Sequence, residues 1–456
     1  MASTYLERNM TGNTASTKMT FSCWLKLNKT DDDGRIFGAQ ALACHSYWNG
    51  DGRLNVDFSQ KDSGSVVAKL LTTRKFRDTN AWYHIVFALD TTLGTADDRI
   101  KLWVNGVQET AFDTRTNASQ DVTYAYGQSG YYTVGARTSN QGGAGHYFDG
   151  LMSHVHYCDG YAYSASDFGS TDSTTGEWKI NTSPSVTYGT NGFFILKDGN
   201  SVTDQSGNSN NFTVAGGTLT KTEDCPSNVF ATLNPLWRSR FENDVVLSKG
   251  NLKASFSSSS NRGYAMSSIG VTSGKYYFEV KAVDKARLYI GVGDGNYIAG
   301  LTSAIWSANP SNGIALNVNS GNLEYNGTDN TSYGTGASDN DIIQVALDMD
   351  NYLLWFGVNG TWMNSATQTQ IENGTATYDV TTAIGTKNII NNGEPINIFA
   401  LDGSTSGTSD AEFNFGNGYF GTTAVSSAGT NASGIGIFEY DVPTGYTALS
   451  TKGLNE

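Results

Sequence analysis

Short runs of hydrophobic and aromatic residues recur along the whole chain, and polar turn-forming residues separate them. Clear examples are residues 19–25 (MTFSCWL), 82–89 (WYHIVFAL) and 276–281 (YYFEVK), and the last run alternates between its two faces. Such runs, bounded by turn residues, predict β-strands rather than helices. Many short strands at this spacing indicate a sandwich or a barrel.

The two halves of the chain share one local pattern. Residues 85–90 (IVFALD) precede 102–106 (LWVNG), and residues 343–348 (IQVALD) precede 355–360 (WFGVNG). Asn-Gly between strand-like runs predicts a tight hairpin, because both residues tolerate positive φ. Any antiparallel sheet can reuse such a hairpin, but the composition favours two sandwiches of related design.

Length and composition agree with this interpretation. The chain has 456 residues, which is too long for one ordinary domain, and it has 52 Gly, 24 Tyr and 21 Phe with only 16% charged residues. The net charge of -14 argues against nucleic acid as a partner and against an electrostatic membrane anchor. There is no apolar run of about 18 residues and no apolar segment at the N-terminus, so we expect neither membrane insertion nor a secretory signal.

We therefore predict an all-β protein with two tandem antiparallel β-sandwiches and a loop-rich C-terminal segment. The predicted boundaries are residues 1–220 for the first sandwich, 221–245 for a linker, 246–416 for the second sandwich and 417–456 for the last segment. That last segment carries aromatic islands but little core-forming pattern, so we expect it to cross the surface. We expect this segment to pack either on a neighbouring domain or subunit or back over its own domain.

Two families share these motifs. The first half resembles laminin-G-like and pentraxin-like members of the concanavalin-A superfamily at residues 21–26 (FSCWLK), 82–86 (WYHIV), 101–107 (KLWVNGV) and 148–151 (FDGL). The second half resembles SPRY domains, through the motifs at 273–280 (SGKYYFEV), 290–292 (IGV), 345–350 (VALDMD) and 355–360. The resemblance implies a concanavalin-A-like jelly roll followed by a SPRY-like sandwich.

The combination of both domains is similar to a group of virion proteins from marine bacteriophages. The connecting run 231–236 (ATLNPL), the C-terminal motifs 413–416 (FNFG) and 443–449 (PTGYTAL), and the opening 3–8 (STYLER) carry this resemblance. It implies a homo-oligomer, expected to be a trimer, assembled in the host cytoplasm and carried on the tail or capsid surface of the virion. The expected partners are other virion proteins and a host-surface glycan or protein. A purely structural decoration or spacer is the alternative, and a glycan depolymerase is the third hypothesis.

The acidic residues give little support to an enzyme. Glycosidases of this superfamily resemble one another in a Glu-x-Asp-x-x-Glu run, and this chain has none; Glu242 and Asp244 come nearest, without the third acid. Glycoside hydrolysis needs two carboxyl groups about 5–9.5 Å apart. We therefore predict no catalytic residues and no enzymatic activity.

Metal and cofactor chemistry is weakly indicated. His154 and His156 alternate on one strand-like run, but structural packing is favoured over a metal site for them and for His84 and His146. The oxygen-rich run 204–211 resembles a calcium loop, and turn formation is favoured over calcium there. Laminin-G-like chains often have an acidic pair where this chain has Ser153 and His154, so no calcium ligand set follows from the resemblance. We expect no cofactor, and we expect the four cysteines to be free, mostly buried thiols.

Four residues are candidate ligand contacts. Trp48, Tyr297 and Trp306 lie in turn-rich, polar sequence, where an exposed ring can bind a sugar face or a protein, although core packing is the commoner role of any one such ring. Asp294 starts the run 294–297 (DGNY), which matches a binding loop of SPRY domains by resemblance.

Overall fold

The computed structural model describes residues 4–14, 16–30, 33–39, 44–59, 66–137, 145–197, 201–238, 245–257, 263–294, 313–325, 328–375, 393–403 and 407–455. The chain forms two compact units. The first unit comprises Met1–Lys221 and Cys225–Ser227, and the second comprises Thr222–Asp224 and Asn228–Glu456.

The first unit is built from sixteen described strands, together with the 3₁₀ turns Ala96–Asp98 and Ala165–Asp167. In chain order the strands are β1 (Tyr5–Met10), β2 (Lys18–Leu27), β3 (Arg35–Ala39), β4 (Cys44–Trp48), β5 (Arg53–Ser59), β6 (Val66–Lys75), β7 (Trp82–Asp90), β8 (Ile100–Val104), β9 (Val107–Gln108), β10 (Phe112–Thr116), β11 (Gly130–Val134), β12 (Gly150–Asp159), β13 (Gly169–Thr171), β14 (Trp178–Ile180), β15 (Phe193–Ile195) and β16 (Thr213–Gly216).

Two antiparallel sheets enclose the core of this unit. One has eight strands in the order β10-β6-β5-β4-β3-β11-β1-β16, and the other has six in the order β15-β12-β2-β7-β8-β9. The core between them is strongly aromatic: Phe21 stacks on Phe37 and on Phe87, with ring centroids 4.5 and 5.2 Å apart. Burial of these rings, which are inaccessible to solvent, supplies the main stabilisation of the sandwich.

A third layer lies on the outer face of the six-stranded sheet. We call residues 160–192 the first cover segment; it contains the hairpin β13-β14. Its Phe168 packs with Val86 of β7 and Cys158 of β12 in a small buried cluster that is separate from the main core. The outer face of this sheet is therefore apolar and aromatic, because it is covered.

The second unit contains the remaining described strands, the short helix α1 (Gln368–Glu372) and the 3₁₀ turn Gly453–Asn455. The strands are β17 (Leu233–Arg238), β18 (Val245–Ser248), β19 (Lys253–Phe256), β20 (Tyr264–Val271), β21 (Lys275–Asp284), β22 (Leu288–Gly293), β23 (Gly313–Asn317), β24 (Asn322–Tyr325), β25 (Thr328–Ser332), β26 (Ile342–Asp348), β27 (Leu353–Val358), β28 (Thr361–Trp362), β29 (Ile396–Asp402), β30 (Ser409–Asn414), β31 (Tyr419–Phe420), β32 (Thr423–Ala424) and β33 (Thr447–Ala448).

These strands also form a two-sheet sandwich. A seven-stranded sheet has the order β17-β20-β29-β22-β23-β24-β25, and the facing sheet has the order β18-β19-β30-β21-β26-β27-β28, with β33 added parallel to β21. The predicted all-β class with two antiparallel sandwiches is confirmed. Both Asn-Gly hairpins are present: Asn105 and Gly106 have φ of 48° and 79°, and Asn359 and Gly360 have φ of 48° and 83°.

Two boundary expectations need correction. Residues 233–238, placed in the linker, form the strand β17 in the second unit; Pro235 suggested a linker, but β17 is an edge strand, where proline is tolerated. The C-terminal residues do more than cross the surface, because they pack back over their own unit, which was one of the two predicted alternatives. Phe438 and Tyr446 are buried with Tyr277 and Trp355 against the outer face of the sheet that contains β21. We call residues 417–451 the second cover segment.

Two smaller points complete the fold. Cys23 and Cys158 are free and buried, and Cys225 is free and half-buried, as predicted for these three; burial raises the pKa of the Cys23 and Cys158 thiols. Among the described residues, no helix is both long and apolar enough to cross a membrane.

Candidate functional site

Trp48 is buried, so the commoner role of core packing applies to it, and the candidate ligand contact at this residue is wrong. It pairs with Leu54 across β4 and β5, and the Leu54 side chain faces the core. The Trp48 ring is 2% exposed and packs against Phe76, with ring centroids 4.8 Å apart. The polar turn after the strand, starting at Asn49, suggested a surface site, but strand alternation directs the ring inward.

The other three predicted ligand contacts belong to the second unit. Asp294 directly follows β22 and is fully buried, so its carboxylate is not presented at the surface. Tyr297 and Trp306 lie in residues 295–312, outside the described residues. The structure therefore does not bring the predicted contacts together, and the roles of Tyr297 and Trp306 stay predictions.

His84 anchors the first cover segment. Its ring stacks on Trp24, with centroids 4.8 Å apart, and Trp178 Nε1 donates a hydrogen bond to His84 Nδ1 at 2.9 Å. An indole nitrogen can only donate, so Nδ1 is unprotonated and Nε2 donates to Ser22 Oγ at 2.9 Å. Burial lowers the pKa of His84 to about 3, so the ring stays neutral at ordinary pH. Both ring nitrogens are engaged, which is a structural role.

His156 anchors the same segment at a second point. Its Nδ1 lies 3.0 Å from Tyr188 Oη, and its ring stacks on Phe194 at 3.9 Å. Burial lowers the pKa of His156 well below its usual value. A β-bulge between Ser153 and His156 breaks the strand alternation, and His154 there has φ of 48°. Both rings nevertheless contact the Phe194 ring, with centroids 5.7 Å away for His154 and 3.9 Å for His156, so the two histidines lie on one face as predicted.

The described residues contain no cluster of three or more His, Cys, Asp or Glu side chains suited to a metal ion. His146, the remaining histidine candidate, contacts Asp33 with its Nδ1 3.1 Å from Oδ2.

The run 204–211 forms a tightly bonded turn. Asp204 Oδ1 accepts hydrogen bonds from the backbone N–H groups of Phe194 and Ser206 at 2.8 and 2.9 Å. Its Oδ2 accepts from Ser206 Oγ at 2.7 Å and from Asn210 N at 2.8 Å. Four donors thus use the acceptor sites of one carboxylate, which is the arrangement of a turn-stabilising aspartate. The side-chain amide of Asn208 joins this turn to the end of the first cover segment by donating a hydrogen bond to Gly189 O at 2.6 Å.

A groove of about 500 Å³ opens where this turn faces the end of the first cover segment. Its volume is typical of small-molecule sites, at about 300–1,000 Å³. None of its described lining residues is charged; they are Val186, Thr187, Tyr188, Gly189, Thr190, Ser206 and Asn208.

Tyr188 is the aromatic residue of the groove. Its ring is half-buried and lies parallel to the rings of His156 and Phe194, with centroids 6.1 and 6.4 Å away. Its hydroxyl is fixed by His156 Nδ1, and burial raises its pKa, so the phenol stays protonated. The hydroxyl-bearing side chains of Thr187 and Thr190 are exposed beside it. The groove therefore combines an aromatic ring, held in place through its hydroxyl, with neutral hydrogen-bonding groups.

Two pairs of described acidic residues in the first unit lack the geometry or the protonation of a catalytic pair. Asp57 and Glu7 lie in one row across the eight-stranded sheet, with three strands between them. Four inter-strand spacings amount to roughly 19 Å, well beyond a glycosidase pair. Asp51 and Asp113 both bind Arg53, and the hydrogen bond from Arg53 lowers the pKa of Asp51, the opposite of what a general acid needs.

Glu279 of the second unit is the acid whose pKa is most clearly raised towards neutrality. It is inaccessible to solvent on β21, and burial raises its pKa to about 7. Its oxygens accept hydrogen bonds from Glu439 N at 2.8 Å, Tyr440 N at 2.9 Å and Tyr277 Oη at 2.9 Å. Glu279 thus fastens the second cover segment to the sheet, a role that sequence reasoning missed because its partners are backbone groups about 160 residues away.

Comparisons with known families agree with this architecture. Residues 2–168 match the family model described as the concanavalin A-like lectin/glucanases superfamily, and residues 275–378 match the SPRY domain model. The predicted resemblances to these two domain types are confirmed. No curated protein sequence matches the chain.

Two solved structures each align with 40% of this chain. The SPRY domain of human HERC1 is 18% identical, covering 40% of this chain and 96% of that one, with a TM-score of 0.29. A heptameric SAP-like pentraxin from Limulus polyphemus is 16% identical, covering 40% of this chain and 86% of that one, with a TM-score of 0.29. The two family-model matches show a concanavalin A-like domain followed by a SPRY domain.

Proposed function

We propose that this chain is a non-enzymatic adhesion protein that binds glycans, with the groove of its first unit as the binding site. The observation that carries the proposal is the half-buried Tyr188 ring, which His156 and Phe194 hold in place and which lines the groove together with neutral hydroxyl and amide groups. A sugar presents an apolar face and a rim of hydroxyl groups, and these match an aromatic ring and neutral hydrogen-bonding partners. The match of residues 2–168 to a superfamily of lectins and glucanases supports this choice of ligand.

Within that superfamily, the carboxyl groups favour a lectin over a glucanase. Asp57 and Glu7 are too far apart to share a glycosidic bond, and Asp51 and Asp113 are both ion-paired with Arg53. We expect no reducing sugar to be released from any polysaccharide that the protein binds. Release that is abolished by changing one acidic residue would overturn this part of the proposal.

The biological setting that we propose is a bacteriophage virion, where the chain is a homo-oligomeric tail or capsid appendage that contacts the host surface. The support is the resemblance of the domain order and of the terminal motifs to virion proteins of marine bacteriophages. Linking several weak sites raises avidity by roughly 10²- to 10⁴-fold without any new contact, which favours an oligomer, with a trimer expected.

Binding to an array of immobilised glycans tests the proposed function directly. We expect the intact protein to bind a subset of neutral glycans and Thr187→Trp, which fills the groove, to bind none. Ser185→Trp, at an exposed position outside the groove lining, is the matched control and should bind normally. Equal binding by both variants would place the site elsewhere.

The virion setting needs separate tests. Immunogold labelling of phage particles should detect the chain on the tail or capsid, and light scattering of the purified protein should give the mass of a trimer. Labelled virions whose protein binds no glycan would favour the purely structural role, and unlabelled virions would end the appendage proposal.

A further inference from the structure

We infer that the glycan site extends beyond the groove onto an adjoining pair of stacked tyrosines, Tyr161 and Tyr163, and that it takes a neutral oligosaccharide of at least two sugar units. The inference rests on the proposed glycan-binding function and adds to it the length and the charge class of the ligand. We call this pair the tyrosine platform.

The platform is an exposed aromatic surface. Tyr161 is 41% exposed, which places it among the exposed large hydrophobic residues of the described part of the chain. Its ring stacks on Tyr163, with centroids 6.2 Å apart and an angle of 16° between the planes. An exposed ring that is stacked on another ring keeps one face for a ligand. Aromatic rings in this situation bind apolar faces at little entropic cost.

The platform adjoins the groove through one direct contact. Tyr163 Oη accepts a hydrogen bond at 2.8 Å from the backbone N–H of Thr187, which lines the groove. Tyr163 thus contacts the residue that directly precedes Tyr188 in the first cover segment. A ligand seated against Tyr188 therefore has a second aromatic surface next to it.

The platform is also held in place from below. Thr20 Oγ1 on β2 donates to Tyr161 O at 2.9 Å and accepts from Tyr163 N at 2.8 Å. The Tyr163 ring meets the Phe168 ring edge-on, with centroids 6.3 Å apart. Because the backbone is fixed at both tyrosines, little backbone conformational entropy remains to be lost on binding.

The charges decide between neutral and acidic glycans. The described lining of the groove has no charged residue, and the platform adds only phenols. The whole chain carries a net charge of -14, which disfavours the approach of sialylated or sulfated sugars. A neutral oligosaccharide fits both observations.

The test measures affinity against ligand length. Intact protein, Tyr161→Ala, Tyr161→Phe and the off-site control Leu93→Ala are titrated calorimetrically with gluco-, manno- and galacto-oligosaccharides of one to four units and with sialylated and sulfated oligosaccharides. For the sugar that binds best, we expect affinity to rise about tenfold from the monosaccharide to the trisaccharide, as one added aromatic contact provides. Tyr161→Ala should lose that gain and keep the monosaccharide affinity, whereas Tyr161→Phe and Leu93→Ala should behave like the intact protein.

The outcomes separate the inference from the proposed function. If sugars bind and Tyr161→Ala shows the same length dependence as the intact protein, or weakens all lengths equally, the extended site is wrong while glycan binding stands. Tighter binding of the acidic series would overturn the neutral class. If no sugar binds to the intact protein, the proposed function fails and the inference fails with it.

Discussion

In each unit a third layer covers the outer face of one sheet, but basic side chains hold the layer of the first unit and an acidic side chain holds that of the second. The first cover segment is held by two neutral histidines. His84 accepts a hydrogen bond from Trp178, and His156 forms a hydrogen bond with Tyr188. The second is held by the carboxyl group of Glu279, which accepts hydrogen bonds from the backbone of the segment. In both cases burial disfavours the charged form of the anchor, so it lowers the pKa of a histidine and raises that of a glutamate. One architecture therefore acquires opposite responses to pH.

The largest effect is expected from removing an aromatic ring of the second cover segment. Phe438 is buried and meets the Tyr277 ring edge-on, with centroids 4.9 Å apart. Phe438→Ala should lower the free energy of unfolding of the second unit by about 4 kcal/mol, because it leaves a cavity. Differential scanning calorimetry should show the transition of that unit at a lower temperature.

The neighbouring residue provides the control for this change. Ile437 is 38% exposed, and Ile437→Ala should cost less than about 1 kcal/mol. If both variants unfold like the intact protein, the second cover segment does not stabilise the second unit.

Opposite pH dependence is the second prediction. The folded-state pKa of Glu279, about 7, lies above its ordinary value of 4.5, so its contribution to stability is greatest below pH 4.5 and is lost as the pH rises through 7. The pKa of His84, about 3, lies below 6.5, so its contribution is greatest above pH 6.5 and is lost as the pH falls towards 3. Between pH 8 and pH 5 we expect the second unit to gain and the first to lose about 2 kcal/mol each.

Hydrogen-exchange mass spectrometry measures the two units separately within one chain. Protection of β21 should increase on acidification from pH 8 to pH 5, after correction for the intrinsic exchange rate, while protection of β7 should decrease. If protection changed in the same direction in both units, the predicted opposite pH dependence would be wrong.

A single substitution sharpens the assignment to Glu279. Glu279→Gln keeps one acceptor oxygen but turns an N–H donor towards the backbone N–H groups of residues 439 and 440, which should cost about 1–2 kcal/mol at pH 5. It should also flatten the pH dependence of the second unit, because the titrating group is gone. Glu177→Gln, which changes an exposed glutamate of the first unit, should leave that dependence intact.

The smallest effect concerns the first cover segment. Trp178→Phe removes the N–H that donates to His84 Nδ1 and should lower the stability of the first unit by about 1 kcal/mol. Trp103→Phe changes a partly buried indole of the same layer and serves as the control. The difference in midpoint of urea unfolding between the two variants measures this hydrogen bond.

The sheets could be predicted from the sequence because strand periodicity and turn chemistry are local. The alternation in residues 276–281 reappears as β21, and the turns at Asn105 and Asn359 follow from their tolerance of positive φ. The inward direction of Trp48 required the register of β4 against β5, which the polar turn after it concealed.

The groove could not be predicted, because its parts are distant in the sequence. Tyr188 lies in a stretch without strand periodicity, and its support comes from His156 on β12. One signal was available: Tyr161, Tyr163 and Trp178 form an aromatic excess in a stretch that otherwise has the polar composition of a loop. An aromatic excess in such a stretch is evidence for a packed layer, and a packed layer can create a groove at its edge.

The second unit is also joined at its two ends. Ala231 donates its N–H to Leu449 O, and Thr451 donates to Val229 O, both at 2.9 Å. During synthesis all the described strands of the first unit have been made once residue 216 has left the ribosome, whereas the hydrogen-bond partners of residues 229–231 come more than 200 residues later. Such long-range pairing slows folding, and domains emerge and fold from the N-terminal side. We therefore expect the sandwich with the groove to fold first and the second sandwich to fold only after its own C-terminal stretch has been made.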